Sequence, residues 1–424
     1  MERSYSDDIV NAQKFEQGYR ADTSITKDPF YAAPDSSSDA AAGTLLKVEK
    51  ETDVSLYTIP PNLALSRFMY QSKTSKNLLV PVSAYVLWPY IARPYRSGYP
   101  VVAWAHGTGG NTTECAPSNI RNLWHHVQAP YQLALLGYVV VATDYAGLGV
   151  ATDASGKSIV HEYISGPAQA NDVLYSILAA QAAFPELSKE FVVLGSSEGG
   201  SAAWSFAQKM ACEPLDGHLG TIALSPLTRL LSLPQDESII PFLLLYLTPT
   251  LKANYGPFDP NEIFTLEGVG SLDTLARLQG CNIVLFQLGG HDILKPGWQN
   301  NPSVQRYQAA NINGGKEIRG PLLAIQGGGD PIIHTPTVET AVTETIEKFP
   351  DSQIEYPLLP NVTHASAMYA GLQIYLEWIA ARFAGQAAKP GCCSQIAVPT
   401  RPASAQQNEA NWFVQIQTDP WQST

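Results

Sequence analysis

An α/β architecture, with a mostly parallel sheet covered by helices on both faces, is what this chain predicts. Three observations carry it. Strand-like and helix-like segments alternate along two stretches of the 424 residues, and a region rich in Pro, Gly and Leu separates the stretches. Alternation of this kind joins parallel strands through crossover helices. Hydrophobic residues make up 45% of the chain and aromatics 10%, enough for a substantial core. Every polar candidate for chemistry falls at the C-terminal end of a strand, where such sheets collect their active sites.

Residues 1–50 are polar and irregular and read as an N-terminal arm. Strands are expected at Leu79–Leu87 and Val101–Ala105, the second running into His106-Gly107-Thr108-Gly109-Gly110. A short apolar helix near Tyr131–Leu136 precedes the strand Tyr138–Ala142, which ends at Thr143-Asp144-Tyr145-Ala146-Gly147. From Gly166 to Phe184 the apolar residues Ala170, Val173, Leu174, Ile177, Leu178 and Ala182 share one helical face. Another strand is expected at Leu219–Leu224. Residues 226–317 then break the rhythm and read as an inserted, mainly helical cap or lid. The core resumes with the strand Pro321–Gln326, the helix Thr337–Lys348, the strand Gln353–Pro357 and a last helix, Ala365–Ala384. This divides the chain into core (51–225 and 318–385), cap (226–317) and a polar C-terminal tail (386–424) that holds Trp412 and Trp421.

Charge and composition narrow the function. A net charge of −12 without a basic cluster argues against nucleic acid or an anionic membrane as partner. The longest apolar run, Ile239–Leu247, is too short for a transmembrane helix. The N-terminus carries no apolar leader, which favours a cytoplasmic protein, or a secreted one whose signal has been removed. Asn111-Thr112-Thr113 and Asn361-Val362-Thr363 match the glycosylation triplet. The five cysteines, Cys115, Cys212, Cys281, Cys392 and Cys393, have neither the density of a disulfide scaffold nor the spacing of a zinc site.

The most informative segment is Gly195-Ser196-Ser197-Glu198-Gly199, reached from Phe191-Val192-Val193-Leu194 and left through Gly200-Ser201-Ala202-Ala203-Trp204. A G-x-S-x-G sequence between strand and helix is the nucleophile elbow of the α/β-hydrolase fold. It holds Ser197 Oγ out at the strand end, beside helix N-terminal amides. A serine hydroxyl needs a base oriented by a carboxylate, and in this fold the chain order is Ser, Asp or Glu, then His. Of His218, His291, His334 and His364, only His364 follows the last strand and precedes the last helix. Asp330 ends the glycine-rich turn Gly327-Gly328-Gly329-Asp330 after the strand Pro321–Gln326. Asp292, after Gly290-His291, copies that pattern and is the rival acid, but about 25 further residues that still read as cap follow it. His334 reads as a pocket wall.

Two backbone donors must hold an oxyanion. Glu198 N–H is one, and Thr108, with Gly110 as second choice, supplies the other from the glycine-rich loop. His106 is expected to brace that loop, and His106, Asp144 and Tyr145 to line the base of the substrate site. Glu198 is an unusual residue to follow a nucleophile, because its position brings a carboxylate toward the site. The sequence alone assigns that side chain no role.

Two further tracts, together with the elbow, carry a family resemblance. Asp28-Pro29-Phe30-Tyr31-Ala32-Ala33-Pro34, Cys115-Ala116-Pro117-Ser118 and the elbow resemble those of the fungal secretory lipase family (Candida antarctica lipase A type) over Asp28 to about Gly385. The resemblance implies an α/β-hydrolase fold, a triad at Ser197, Asp330 and His364, and a disulfide joining Cys115 to a late cap cysteine, for which Cys281 is the candidate. The sequence departs from the family in its H-G-T-G-G loop and in Cys392-Cys393. The expected activity is that of a serine carboxylic ester hydrolase, lipase or esterase, acting on a small-molecule or lipid ester through an acyl-enzyme, with no cofactor or metal. An intracellular acyltransferase or thioesterase-like tailoring enzyme with the same triad is the alternative, and a non-catalytic binding protein the third.

Overall fold

Residues 6–124, 130–234, 239–288, 290–389 and 391–407 are described by a computed structural model. The strands are β1 (Leu45–Glu49), β2 (Ala64–Lys73), β3 (Leu79–Trp88), β4 (Tyr99–Ala105) and β5 (Val139–Thr143). After the first long helix come β6 (Leu187–Ser196), β7 (His218–Leu224), β8 (Leu322–Gly327), β9 (Ile354–Leu359) and β10 (Cys392–Ile396). The helices before β7 are α1 (Asp7–Gly18), α2 (Tyr131–Leu135), α3 (Gly166–Ala183) and α4 (Glu198–Cys212). Between β7 and β8 lie α5 (Ile240–Asn254), α6 (Leu266–Leu278), α7 (Asn282–Leu285) and α8 (Pro302–Asn311). The chain closes with α9 (Thr335–Lys348), α10 (Ala367–Ala370) and α11 (Leu372–Phe383) before β10.

All ten strands join one sheet in the order β1-β2-β3-β5-β4-β6-β7-β8-β9-β10. β1, β2, β3 and β5 pair antiparallel, and every pairing from β5–β4 across to β9–β10 is parallel. Apolar runs such as β4 divide their side chains between the two faces by the strand's period of two. Val101, Ala103 and Ala105 pack with α3 and α4, whereas Val102 and Trp104 pack with α2 and α11. Full burial of a valine such as Val101 or Val102 is worth about 1.5–3 kcal/mol. The sheet is therefore held from both sides, and the loops at its C-terminal ends sit on a rigid base.

The structure alters the sequence reading at both edges. The stretch read as an arm contains α1 and supplies β1 at one edge, and the stretch read as a tail supplies β10 at the other. β2 was not foreseen. Its polar residues Ser66, Arg67, Gln71 and Ser72 are buried, which erases the alternation that marks a half-exposed strand. Arg67 pairs there with Asp28 at 2.7 Å and Glu49 at 2.9 Å. The last helix is interrupted at Gly371, between α10 and α11. Trp412 and Trp421 lie outside the described residues. Among those described, no helix is long and apolar enough to cross a membrane.

Candidate active site

β6 delivers Ser197 at φ 58°, ψ −116°, a conformation that a non-glycine residue adopts only when its surroundings impose it. The imposing contacts are backbone. A Cβ on Gly195 would collide with the Gly199 carbonyl, and one on Gly199 with the Ala105 carbonyl. The two glycines thus let α4 start directly beside β4. Ser197 N–H donates to Leu224 O at 2.8 Å, which ties the turn to β7.

His364 follows β9 and faces the elbow. Its Nε2 lies 2.8 Å from Ser197 Oγ, and its Nδ1 lies 2.7 Å from Asp330 Oδ2. With Nδ1–H given to the carboxylate, Nε2 is the nitrogen left to accept the serine proton. Asp330 is itself fixed: its Oδ1 accepts from Ile332 N at 2.8 Å and Ile333 N at 2.9 Å. Burial raises this carboxyl, but the hydrogen bond and charge of His364 with the two amides outweigh burial and hold it below the ordinary carboxylate value. The glycine tract before it has a specific use. Gly328 N donates to Leu359 O at 2.7 Å and Gly329 N to Val362 O at 3.0 Å, and a Cβ on Gly327 would strike Val362 O. The acid turn and the histidine loop therefore lie backbone against backbone. Asp292 is exposed in the turn His291–Ile293 of the inserted region and contacts neither Ser197 nor His364 among the described bonds.

Thr108 and Ser197 line the same cavity of about 170 Å³. Glu198 is the first residue of α4, a position whose N–H has no acceptor within the helix. The Thr108 loop is held from the inserted region: Asn282 Nδ2 donates to Thr108 O, and Asn282 N to Gly109 O at 3.3 Å. Asn282 follows Cys281, which is disulfide-bonded to Cys115 with a Cα–Cα distance of 5.6 Å. Glu16 of α1 accepts from Cys281 N at 2.8 Å, Ile283 N at 2.8 Å and Val284 N at 3.0 Å, so the N-terminal helix clamps the same turn.

Apolar groups wall the cavity. Ile239, Phe242, Leu243 and Tyr246 come from α5 and the residue before it, Leu285 and Phe286 from α7 and the residue after it, and Trp124, Ile332 and Met368 from the core. No Asp, Glu, Lys or Arg lines it among the described residues. The run from Ile239 does two things, because Leu244, Leu245, Leu247 and Leu251 point away into the packed core while their neighbours face the cavity.

No protein-family model matches the sequence, and no curated protein sequence matches it. Solved structures do. Candida antarctica lipase A in its closed state superposes with a TM-score of 0.68 at 19% identity, over 91% of this chain and 93% of that one. The rice cell wall degrading esterase LipA from Xanthomonas oryzae gives 0.60 at 17% identity, over 81% and 98%. A Legionella pneumophila protein gives 0.65 at 16% identity, over 81% and 100%. The fold is that of an α/β-hydrolase.

Within this α/β-hydrolase fold, several residues expected at the site lie behind it. His106, Asp144 and Tyr145 are buried and line no part of the cavity. His106 Nδ1 lies 2.7 Å from Gly107 O and Nε2 3.2 Å from Asp144 O, and burial lowers its pKa. Tyr145 Oη donates to His106 O at 3.1 Å. Asp144 accepts from Ser118 N at 2.8 Å and Ser83 Oγ at 2.6 Å, and burial raises its carboxyl. All three brace the glycine-rich loop from beneath. Ser118 also meets Tyr31 Oη at 2.8 Å, so the D-P-F-Y and C-A-P-S tracts touch one another there. Gly110 does not line the cavity either. It pairs with Cys281 at φ 152°, where a Cβ would strike Cys115 Sγ, and so serves the disulfide corner. His334 precedes α9 and is no wall of the cavity. His218 sits at the start of β7, where burial lowers it to about 4.

Glu198 corrects a further expectation. Its side chain turns away from the cavity and is buried, with Oε1 accepting from Gln169 Nε2 and lying 3.2 Å from His161 Nε2. The sequence did not point to Tyr163, which lines the cavity with its Oη 2.9 Å from Thr108 Oγ1, nor to Asn282, Glu16 and His161. Only Asn282 had a signal, its place next to the candidate disulfide cysteine.

Proposed function

We propose that this chain is a serine carboxylic ester hydrolase, acting through an acyl-enzyme on esters with neutral, apolar acyl groups. The observation that carries this reading is the Ser197–His364–Asp330 relay opening onto a cavity whose walls are mostly apolar and, among the described residues, include no Asp, Glu, Lys or Arg. The neighbours named lipase and esterase support it.

Ser197 Oγ attacks the ester carbonyl while His364 Nε2 takes its proton, and Asp330 stabilises the imidazolium that forms. Amides of Glu198 and Thr108 hold the tetrahedral oxyanion. His364 returns the proton to the departing alcohol. Water then attacks the acyl-enzyme by the same route and releases the acid. A dry apolar cavity of about 150 Å³ accommodates a benzene-sized group, so the 170 Å³ here suits an acyl chain of about six carbons.

A panel of p-nitrophenyl esters tests this. Hydrolysis should peak at medium acyl length and be absent with a succinyl ester, whose carboxylate would lose its hydration without a partner. No turnover of any neutral ester would overturn the reading.

A further inference from the structure

Two oxyanion donors from separate strands must keep a fixed spacing, and the disulfide corner holds only one of them. Tyr163 Oη lies 2.9 Å from Thr108 Oγ1, on the loop after β4. Two residues earlier, His161 Nε2 lies 3.2 Å from Glu198 Oε1, and one residue later Ile164 N donates to that same oxygen at 3.4 Å. One short segment therefore reaches both donor residues. It touches them through side chains on the side away from the cavity at Glu198 and at the cavity wall at Thr108.

The segment is itself fixed. His161 Nδ1 lies 3.1 Å from Ala146 O. Thr250 Oγ1 accepts from Tyr163 N at 2.9 Å and donates to His161 O at 3.2 Å. Tyr307 Oη donates to Ile164 O at 2.8 Å. Ile164 is held at φ 46°, an outlier for a β-branched residue that persists only where surrounding contacts over-determine it. Of those contacts, Thr250 lies in α5 and Tyr307 in α8, which places the region between β7 and β8 behind the geometry of the proposed oxyanion site.

We propose that His161–Ile164 is a positioning segment that sets the spacing of the Thr108 and Glu198 amides, with the Tyr163 hydroxyl as its contact to the Thr108 loop. This rests on the reading of those amides as the oxyanion donors. Tyr163 acts through Thr108 and keeps its ring in the cavity wall, so substrate binding and transition-state stabilisation should separate when only its hydroxyl is removed.

The experiment uses the full chain, with active sites counted by fluorophosphonate titration. Tyr163→Phe should lower kcat per titrated site by about tenfold, less than the 10²–10³ of losing a donor outright, with KM nearly unchanged. Affinity for a trifluoromethyl ketone, whose adduct carries the oxyanion, should fall by the same factor. Thr108→Val reads the bond from its other end, and the double variant should be no slower than the slower single one. Unchanged kcat per titrated site in both single variants, or strict multiplication in the double, would overturn the proposal. Wild-type protein that turns over no ester would instead overturn the functional reading beneath it.

Discussion

The two sides of the candidate active site are built in different ways. On the nucleophile side, Ser197, Asp330 and His364 each sit in the loop directly after a strand, and glycines beside them let backbone meet backbone. On the side proposed to hold the oxyanion, the loop after β4 is held by residues far away in the chain: Asn282 and Cys281 from between β7 and β8, Glu16 of α1, and Tyr163. The first side is a product of local turns on a rigid sheet. The second is assembled by tertiary hydrogen bonds, so it should be the easier one to loosen without unfolding the core.

On the nucleophile side, the carboxylate is where two candidates compete, and the expected effect there is large. Asp330→Asn should cost about 10⁴ in kcat, because the wrong imidazole tautomer is favoured. Asp292→Asn, exposed in the inserted region, should stay within about twofold, as surface substitutions usually do. Steady-state kinetics of both folded variants on one activated ester would check this, and the reverse ranking would exchange their roles.

Removing the disulfide attacks the oxyanion side. Cys115 and Cys281 are 166 residues apart, and losing a native closure of that kind costs about 2–5 kcal/mol. The Cys115→Ser/Cys281→Ser double variant should show that loss in denaturant midpoint. It should still be labelled by a fluorophosphonate, at a rate reduced by about tenfold or less, because the relay itself is untouched.

A smaller effect depends on pH. Asp330 is held below its ordinary value, so its contribution to stability is present above the unfolded pKa and lost as pH falls toward the folded one. Asp172, buried in α3 with Ala146 N donating to it at 3.0 Å, is opposite: burial raises it to about 7, against lowering by Ser72, Ala146 and His161. Between about pH 4 and 7 the folded protein holds a proton that the unfolded chain has lost, so stability declines as pH rises through that window. The total is a few kcal/mol at most. Asp172→Asn should flatten the decline, read as Tm against pH. A slope identical to wild type would remove Asp172 from the account.

What could be read in advance follows the same division. The elbow, the G-G-G-D turn and the histidine loop announce themselves because a strand end, a close approach and a reactive side chain occur within a few residues. β2 was hidden because its buried polar side chains find partners elsewhere, Arg67 with Asp28 and Glu49, and Ser72 with Asp172. α1 was hidden because Ala12 and Glu16 are its buried residues, and Glu16 is there to accept three backbone amides. His106, Asp144 and Tyr145 were placed too close to substrate because strand-end position does not say which side of the loop a side chain takes. Burial beneath the loop, with Ser83 and Ser118 as partners for Asp144, decided that.

The proposed chemistry requires Ser197 to be the nucleophile. Site-resolved peptide mapping after reaction with a fluorophosphonate tests it most directly, since Ser196 precedes Ser197 and serves as an internal control. One adduct is expected, on Ser197 Oγ, with ester hydrolysis lost in proportion to labelling. An adduct on Ser196 with Ser197 unmodified, or hydrolysis that persists after Ser197 is fully labelled, would contradict it.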